Sequence, residues 1–330
     1  MSRFDVQRRH ALRRLATAGT VTALPGLTAA QAWPTRPIRL IVGFAPGGGT
    51  DIVARTMGAR LSELLGAQVV VENRAGASGM IGADAVAKAA PDGYTLLMGH
   101  ANSNVIAPNV VAKAPYDPAA DFTPIHYIGY VPNVLAVHPG LAARSVDELV
   151  ALARSRPGVL TYASSGVGSS QHLAGALFAK LTGVQVAHVP YKGSGQATTD
   201  LLAGTVPLSF PGTNGMMKHI KGGKLKVLAT SGVKRSPQLP DVPTLDEAGL
   251  KGYSAYVWMG LLAPKGTPAA IVDKLQREFK ASLASPEVVA FMTEAGIETV
   301  ASTPAEMDVY FREERDRWAR IVKETGAKVD

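Results

Sequence analysis

The chain has 330 residues, 34 Lys and Arg against 26 Asp and Glu, and no cysteine, which excludes disulfides, thiolate nucleophiles and zinc-thiolate sites together. Half of its formal charge of +8 lies in the first 32 residues; without them 29 basic residues face 25 acidic ones and the charge is +4, with no basic block interleaved by aromatics, so no nucleic-acid partner is expected. The seven histidines, at 10, 100, 126, 138, 172, 188 and 219, are never spaced as a helical metal pair, and neither a metal nor a cofactor is expected.

Residues 1–32 read as an export signal: Arg8-Arg9-His10-Ala11-Leu12-Arg13, a mildly apolar stretch over 15–27, and Ala30-Gln31-Ala32 before Trp33, which is a basic region, an apolar region and a small-x-small cleavage site. The paired arginines look like a twin-arginine leader with Ala11 at the usual Phe position, and a general secretory leader is the alternative. Both readings end outside the cytoplasm. No later apolar run approaches the roughly 18 residues of a membrane span, so the mature chain is expected to be soluble. Its 298 residues bring it to the size at which one core gives way to two.

The apolar run Ile38-Arg39-Leu40-Ile41-Val42 predicts a strand that stops at Phe44-Ala45-Pro46-Gly47-Gly48-Gly49-Thr50-Asp51, where a helix begins with Thr50 or Asp51 as N-cap and Val53, Met57, Leu61 and Leu64 on its apolar face. Three glycines let the chain turn sharply and expose N–H groups at a helix start, which suits an anion. The spacing fits neither the Gly-x-Gly-x-x-Gly fingerprint nor a Walker A loop, so a nucleotide is not expected. Residues 69–71 form the next strand, Gly76-Ala77-Ser78-Gly79 opens a helix that closes at Pro91-Asp92-Gly93, and 94–98 is a third strand followed by the polar loop Gly99-His100-Ala101-Asn102-Ser103-Asn104.

The arrangement repeats after residue 133. Ser145-Val146-Asp147-Glu148 is a capping box, 160–163 a strand, and Ser164-Ser165-Gly166-Val167-Gly168-Ser169-Ser170 a second corner before the helix of Leu173, Leu177 and Leu181. Strands over 185–189, 206–210 and 225–229 follow, with Tyr191-Lys192-Gly193-Ser194-Gly195 and Pro211-Gly212-Thr213-Asn214 as loops. Residues 254–262 form an extended apolar return, and the chain ends in helices capped by Thr267, with Pro268 at N1, and by the capping box of Thr303 and Glu306. The expected fold is α/β: two lobes, each a mainly parallel sheet flanked by helices, made of 33–130 with 255–330 and of 131–254. A ligand would lie in the cleft between them, faced by both corners.

Several phrases carry a resemblance: Ala45-Pro46-Gly47-Gly48 with Asp51, Glu72-Asn73-Arg74 with Gly76, Pro91-Asp92-Gly93-Tyr94-Thr95-Leu96, Tyr116-Asp117-Pro118 with Asp121-Phe122, Val189-Pro190-Tyr191-Lys192-Gly193, Leu239-Pro240-Asp241-Val242-Pro243-Thr244 and Ala263-Pro264 with Thr267-Pro268. In this order over the mature chain they resemble the extracytoplasmic solute receptors of tripartite tricarboxylate transporters, the Bug receptors. The resemblance implies a type II-like periplasmic binding-protein fold. It also implies a small organic carboxylate ligand, partly held through ordered water, and delivery to the membrane permease subunits of such a transporter. Two departures bear on the ligand: Pro207 and Pro211 stand where such receptors carry acidic residues, and the loop 100–104 is unusually rich in His and Asn.

The expected ligand-binding residues are Phe44, Pro46, Gly47, Gly48, Thr50 and Asp51 in the first corner, Asn102 and Ser103 after the third strand, and Ser164, Gly168, Ser169, Ser170 and His172 in the second, with Lys192 as a peripheral cation. Asp51 either orients loop amides or caps its helix. Trp258 and Met259 are expected in the core. The reading is a monomeric periplasmic receptor without catalysis. Its rivals are a secreted hydrolase using Ser169 or Ser170 with His172, which lacks a Gly-x-Ser-x-Gly elbow, and a receptor of similar fold serving another transporter type.

Overall fold

The computed structural model describes residues 33–232, 234–300 and 302–326; the export signal read over 1–32 lies outside them. The chain divides after Thr35, and the fold below belongs to the unit Arg36–Asp330. Its elements run β1 (Ile38–Val42), α1 (Gly49–Leu65), β2 (Val69–Asn73), a 3-10 turn (Ala77–Gly79), α2 (Met80–Ala87), β3 (Thr95–His100), a π-helical turn (Asn102–Ile106), α3 (Ala107–Val110), β4 (Phe122–Pro132), β5 (Val134–Val137), α4 (Val146–Ser155), β6 (Thr161–Ser164) and α5 (Ser170–Thr182). They continue with β7 (Ala187–Pro190), α6 (Ser194–Ala203), β8 (Leu208–Ser209), α7 (Thr213–Lys221), β9 (Lys226–Thr230), β10 (Tyr256–Pro264), α8 (Ala269–Leu283), α9 (Pro286–Glu294), β11 (Glu298–Thr299) and α10 (Pro304–Thr325).

Two sheets result, in the orders β11-β4-β10-β3-β1-β2 and β7-β6-β8-β5-β9. The expected parallel pairing is found where a strand feeds one of the two helix-opening corners, β1 with β2 and β3, and β6 with β7 and β8. The segments that cross between sheets run the other way, so β10 is antiparallel to β3 and β4, and β5 to β8 and β9, and both sheets are mixed. β1 lies between two partners, and Ile38, Leu40 and Ile41 are wholly buried, as a central parallel strand with both faces covered requires. On α1 the buried face is Val53, Met57, Leu61 and Leu65, with Leu64 only half-buried; each such side chain contributes about 1.5–3 kcal/mol. Trp258 and Met259 are buried in β10.

The crossing segments are bonded to one another between the sheets. Asn133 N donates to Ser231 Oγ at 2.8 Å and Ser231 N returns to Asn133 O at 2.8 Å, while Ser231 Oγ donates to Ala255 O. β8 is only two residues long because Pro207 and Pro211 bracket it and lack N–H groups. Their carbonyls still accept from His138 N at 2.9 Å and Val134 N at 2.8 Å, so the prolines keep the bonds to β5.

Capping differs from expectation in three places. α1 is capped by Gly48 rather than Thr50 or Asp51, and α8 starts after Pro268, whose place at the cap leaves Thr267 outside with its hydroxyl donating to Pro264 O at 2.8 Å. Ser145 caps α4 through Glu148 N, but the Glu148 carboxylate turns to Arg144 N at 2.7 Å. The capping box of Thr303 and Glu306 on α10 is complete. The stretches after Gly193 and Gly212, expected as loops, wind into α6 and α7.

His126 on β4 is fully buried beside Phe279, neither ring nitrogen has a hydrogen-bond partner among the described residues, and burial, helped by Lys280, lowers its pKa to about 4. As pH falls below 6.5 the unfolded chain takes up this proton while the folded chain does not until about 4, so the stability this residue supports is intact above that window and lost through it. The loss is of order 3 kcal/mol. Replacing His126 with leucine is expected to flatten the fall in unfolding free energy between pH 6.5 and 4 by up to one proton, as urea melts across pH would read.

Candidate functional site

The first corner follows β1. Gly47 has a left-handed φ of 78° and Gly48 is extended at φ −77°, which aims the chain into α1. Asp51, 2% exposed, lies beneath it: its Oδ2 accepts from Gly47 N at 2.8 Å and Arg55 Nε at 3.0 Å, and its Oδ1 from Asn73 Nδ2 at 2.8 Å. Asn73 Nδ2 also donates to Phe44 O at 3.0 Å, tying the corner to the end of β2. Burial would raise the Asp51 pKa, but the bonds from Arg55, Gly47 N and Asn73 outweigh it and hold the carboxyl below its ordinary range. Asp51 is thus the clasp of the corner and its oxygens are spent within it.

The donors left for an anion lie one step further on. Gly47 N is taken by Asp51, and Gly48 N leans on Ala45 O at 3.5 Å, whereas the first-turn N–H groups of Gly49, Thr50 and Asp51 have no backbone acceptor among the described residues. Helix starts leave such groups unpaired and add the positive end of the dipole. Thr50 is 8% exposed, and Pro46 is exposed at the rim. A side chain at Gly49 would overlap the carboxamide of Asn214, in the first turn of α7, so the first corner faces the second sheet's helix α7.

The second corner follows β6. Ser164 Oγ lies 2.6 Å from His188 Nε2, the His188 ring stacks on His172 at 4.1 Å and 17°, and Tyr162 stacks on the other face of His188 at 5.0 Å. Burial lowers the pKa of both histidines, and of His188 to about 4 with His172 adding to it, so the stack is uncharged near neutral pH. Gly168 N donates to His172 Nδ1 at 3.3 Å, and Ser169 Oγ caps α5 by accepting from His172 N at 3.2 Å. Among the described residues no hydrogen bond joins Ser169 or Ser170 to the His172 ring.

The two corners are linked through the end of β3. Expected as a polar loop, Asn102–Ile106 is a buried π-helical turn: Asn104 Oδ1 accepts from His100 N at 3.2 Å and Ser103 Oγ at 2.9 Å, Tyr116 OH donates to Ser103 O, and Asn104 Nδ2 is buried with no partner among the described residues. Asn102 Oδ1 accepts from Ser170 N at 3.0 Å, and Ser78 Oγ donates to Val167 O at 3.0 Å. Phe44 packs edge-on to His100 with centroids 4.7 Å apart. Phe44, Asn102, Ser103, Ser169 and Ser170 thus form one cluster, the first corner faces Asn214 at Gly49, and Lys192 is exposed with no ion pair among the described residues. His100 and Asn214 were missed by sequence reasoning; a histidine closing an apolar strand and an asparagine after a Pro-Gly corner were the available signals. A groove of about 470 Å³ lined by residues that include Tyr162, Lys180 and Glu324 contains none of the expected ligand-binding residues.

Two α/β sheets joined by crossing segments, with helix-opening corners after β1 and β6, define a two-lobed binding protein. A family model described as the tripartite tricarboxylate transporter family receptor matches residues 53–327. Protein BugT of Bordetella pertussis is 40% identical over 321 residues, covering 96% of this chain and 98% of that protein. Two solved structures are similar: Rpa4515 of R. palustris with adipate, at TM-score 0.86, 40% identity and coverage of 90% and 100%, and MatC (Rpa3494) of Rhodopseudomonas palustris with bound malate, at 0.82, 33%, 88% and 100%. The chain belongs to the tripartite tricarboxylate transporter receptor family and has the two-lobed α/β fold of its solute receptors.

Proposed function

We propose that the chain is a periplasmic receptor that binds a small organic carboxylate between its lobes and delivers it to the permease subunits of a tripartite tricarboxylate transporter, as an exported monomer without catalysis. The carrying observation is the row of unpaired N–H groups at Gly49, Thr50 and Asp51, clasped from below by Asp51. Main-chain donors without a buried counter-cation hold a carboxylate yet release it, as delivery requires. The adipate and malate in two similar structures support an acid as ligand. No helix among the described residues is long and apolar enough to cross a membrane, which suits an exported receptor.

The lobes proposed are 33–130 with 255–330 and 131–254, closing by hinge motion at the crossing segments. Supporting this division, each sheet draws its strands almost wholly from one of these sets. The proposed site comprises Phe44, Pro46, Gly47, Gly48, Thr50, Asp51, Asn102, Ser103, Ser164, Gly168, Ser169, Ser170 and His172, with Lys192 outermost. Thr50→Pro tests it, because proline in a first helical turn deletes one free N–H without costing an intrahelical bond. The variant should unfold within a few degrees of wild type, and the stabilisation given by the best ligand in a thermal-shift screen of organic acids should fall, corresponding to roughly tenfold to hundredfold weaker binding. Undiminished stabilisation removes the first corner from the site.

A further inference from the structure

We infer that His100 supplies an uncharged N–H donor for a second acceptor group on the bound acid, so that the receptor selects acids carrying a further carboxylate, carbonyl or hydroxyl oxygen. The inference rests on the cleft reading above and deepens it. His100 ends β3, 8% exposed, between the Phe44 ring and the turn whose Asn102 reaches Ser170. Its other polar groups are committed: its N–H donates to Asn104 Oδ1 at 3.2 Å, its carbonyl accepts from Ser103 Oγ at 3.2 Å, and its Nδ1 accepts from Asn102 N at 3.0 Å.

That last bond places the ring hydrogen on Nε2, and Nε2 has no acceptor among the described residues. Nε2 keeps some access to solvent in a ring that is otherwise buried, so a water or a ligand oxygen can take its hydrogen, which a phenylalanine beside Phe44 would not offer. Burial, with no charged neighbour contributing, lowers the His100 pKa to about 3, so the ring is neutral at working pH and acts by direction rather than charge. It is sensitive to the presence of an acceptor, and it adds no fixed cation that would hold every acid alike.

The test is titration calorimetry of the wild-type protein and of His100→Phe, His100→Gln and His100→Asn with matched acids, adipate against hexanoate and malate against butyrate. Glutamine carries an amide N–H to about the Nε2 position, whereas asparagine reaches only as far as Nδ1. The expected result is a preference for the diacid in wild type, reduced about tenfold in His100→Phe and His100→Asn and largely kept in His100→Gln, with the monoacid affinities little changed. Diacid affinity should also be flat from pH 6.5 to 8. Equal loss for both members of a pair, no loss in either, or affinity that falls across that pH range as a cation deprotonates each overturns the inference and leaves the receptor reading intact. If no acid of a broad panel binds wild type, the receptor reading fails and this inference with it.

Discussion

Gly43→Ala is expected to lower the unfolding midpoint by roughly 5–10 °C and to abolish stabilisation by any acid ligand. Gly43 follows the last residue of β1, and a Cβ on it would lie 2.6 Å from Gly79 O and 2.8 Å from Gly79 Cα, while a Cβ on Gly82 would lie 2.8 Å from Gly43 Cα. Three glycines are therefore packed backbone against backbone, and no flexible side chain can swing aside. Overpacking of this kind costs about 1–3 kcal/mol or more. The displacement would also reach the site, because Gly79 in turn abuts Phe44 and Ser103. Gly195→Ala is the matched control, since nothing lies within 4 Å of its Cβ position and alanine favours the first turn of α6. If Gly43→Ala melts with wild type while Gly195→Ala does too, the 3-10 turn yields freely and does not brace the corner.

The parts of the fold that were legible are those where the periodicity of the apolar residues and the local chain-breakers agree. β1 and α1 meet at three glycines, and Thr303 with Glu306 spells a complete capping box. The parts that were not legible have polar sequences whose partners are distant. Ser194–Ala203 opens as Ser-Gly-Gln-Ala-Thr-Thr and buries only Ala197 and Leu201, too little to show a period, so α6 read as a loop. Asn102 and Asn104 read as loop residues because side-chain polarity cannot reveal that one bonds Ser170, 68 residues away, and the other closes its own turn. Thr267 and Pro268 read as cap and first turn, but the helix begins one residue later, where the proline's extended ψ of 137° ends. The candidate site was read as two corners with Asn102 and Ser103 between them. The part of His100 in that join was not read, because a histidine that closes an apolar strand looks the same whether it packs in a core or offers a donor.

Asp51→Ala should be the most damaging change within the first corner, lowering the unfolding free energy by about 3–5 kcal/mol, as expected when one partner of a buried charged network is removed. The carboxylate accepts from Gly47 N, Asn73 Nδ2 and Arg55 Nε, and its loss leaves the first two donors facing each other around a void. Asp51→Asn keeps the shape and one acceptor but turns an amide N–H toward those donors, so its cost should be smaller, and Arg55→Ala should cost least because Arg55 is half exposed, with 51% side-chain accessibility. Because the folded Asp51 titrates below its ordinary range, its contribution is present at neutral pH and lost as pH falls through the folded pKa; the gap between wild type and Asp51→Asn should narrow in acid. Ligand binding should follow the same order, because the free N–H groups of Gly49 and Thr50 point where the clasp fixes them. Acid affinity unchanged in Asp51→Ala, measured where the variant is still folded, would mean that the corner keeps its shape without the clasp and that the donors are oriented by α1 alone.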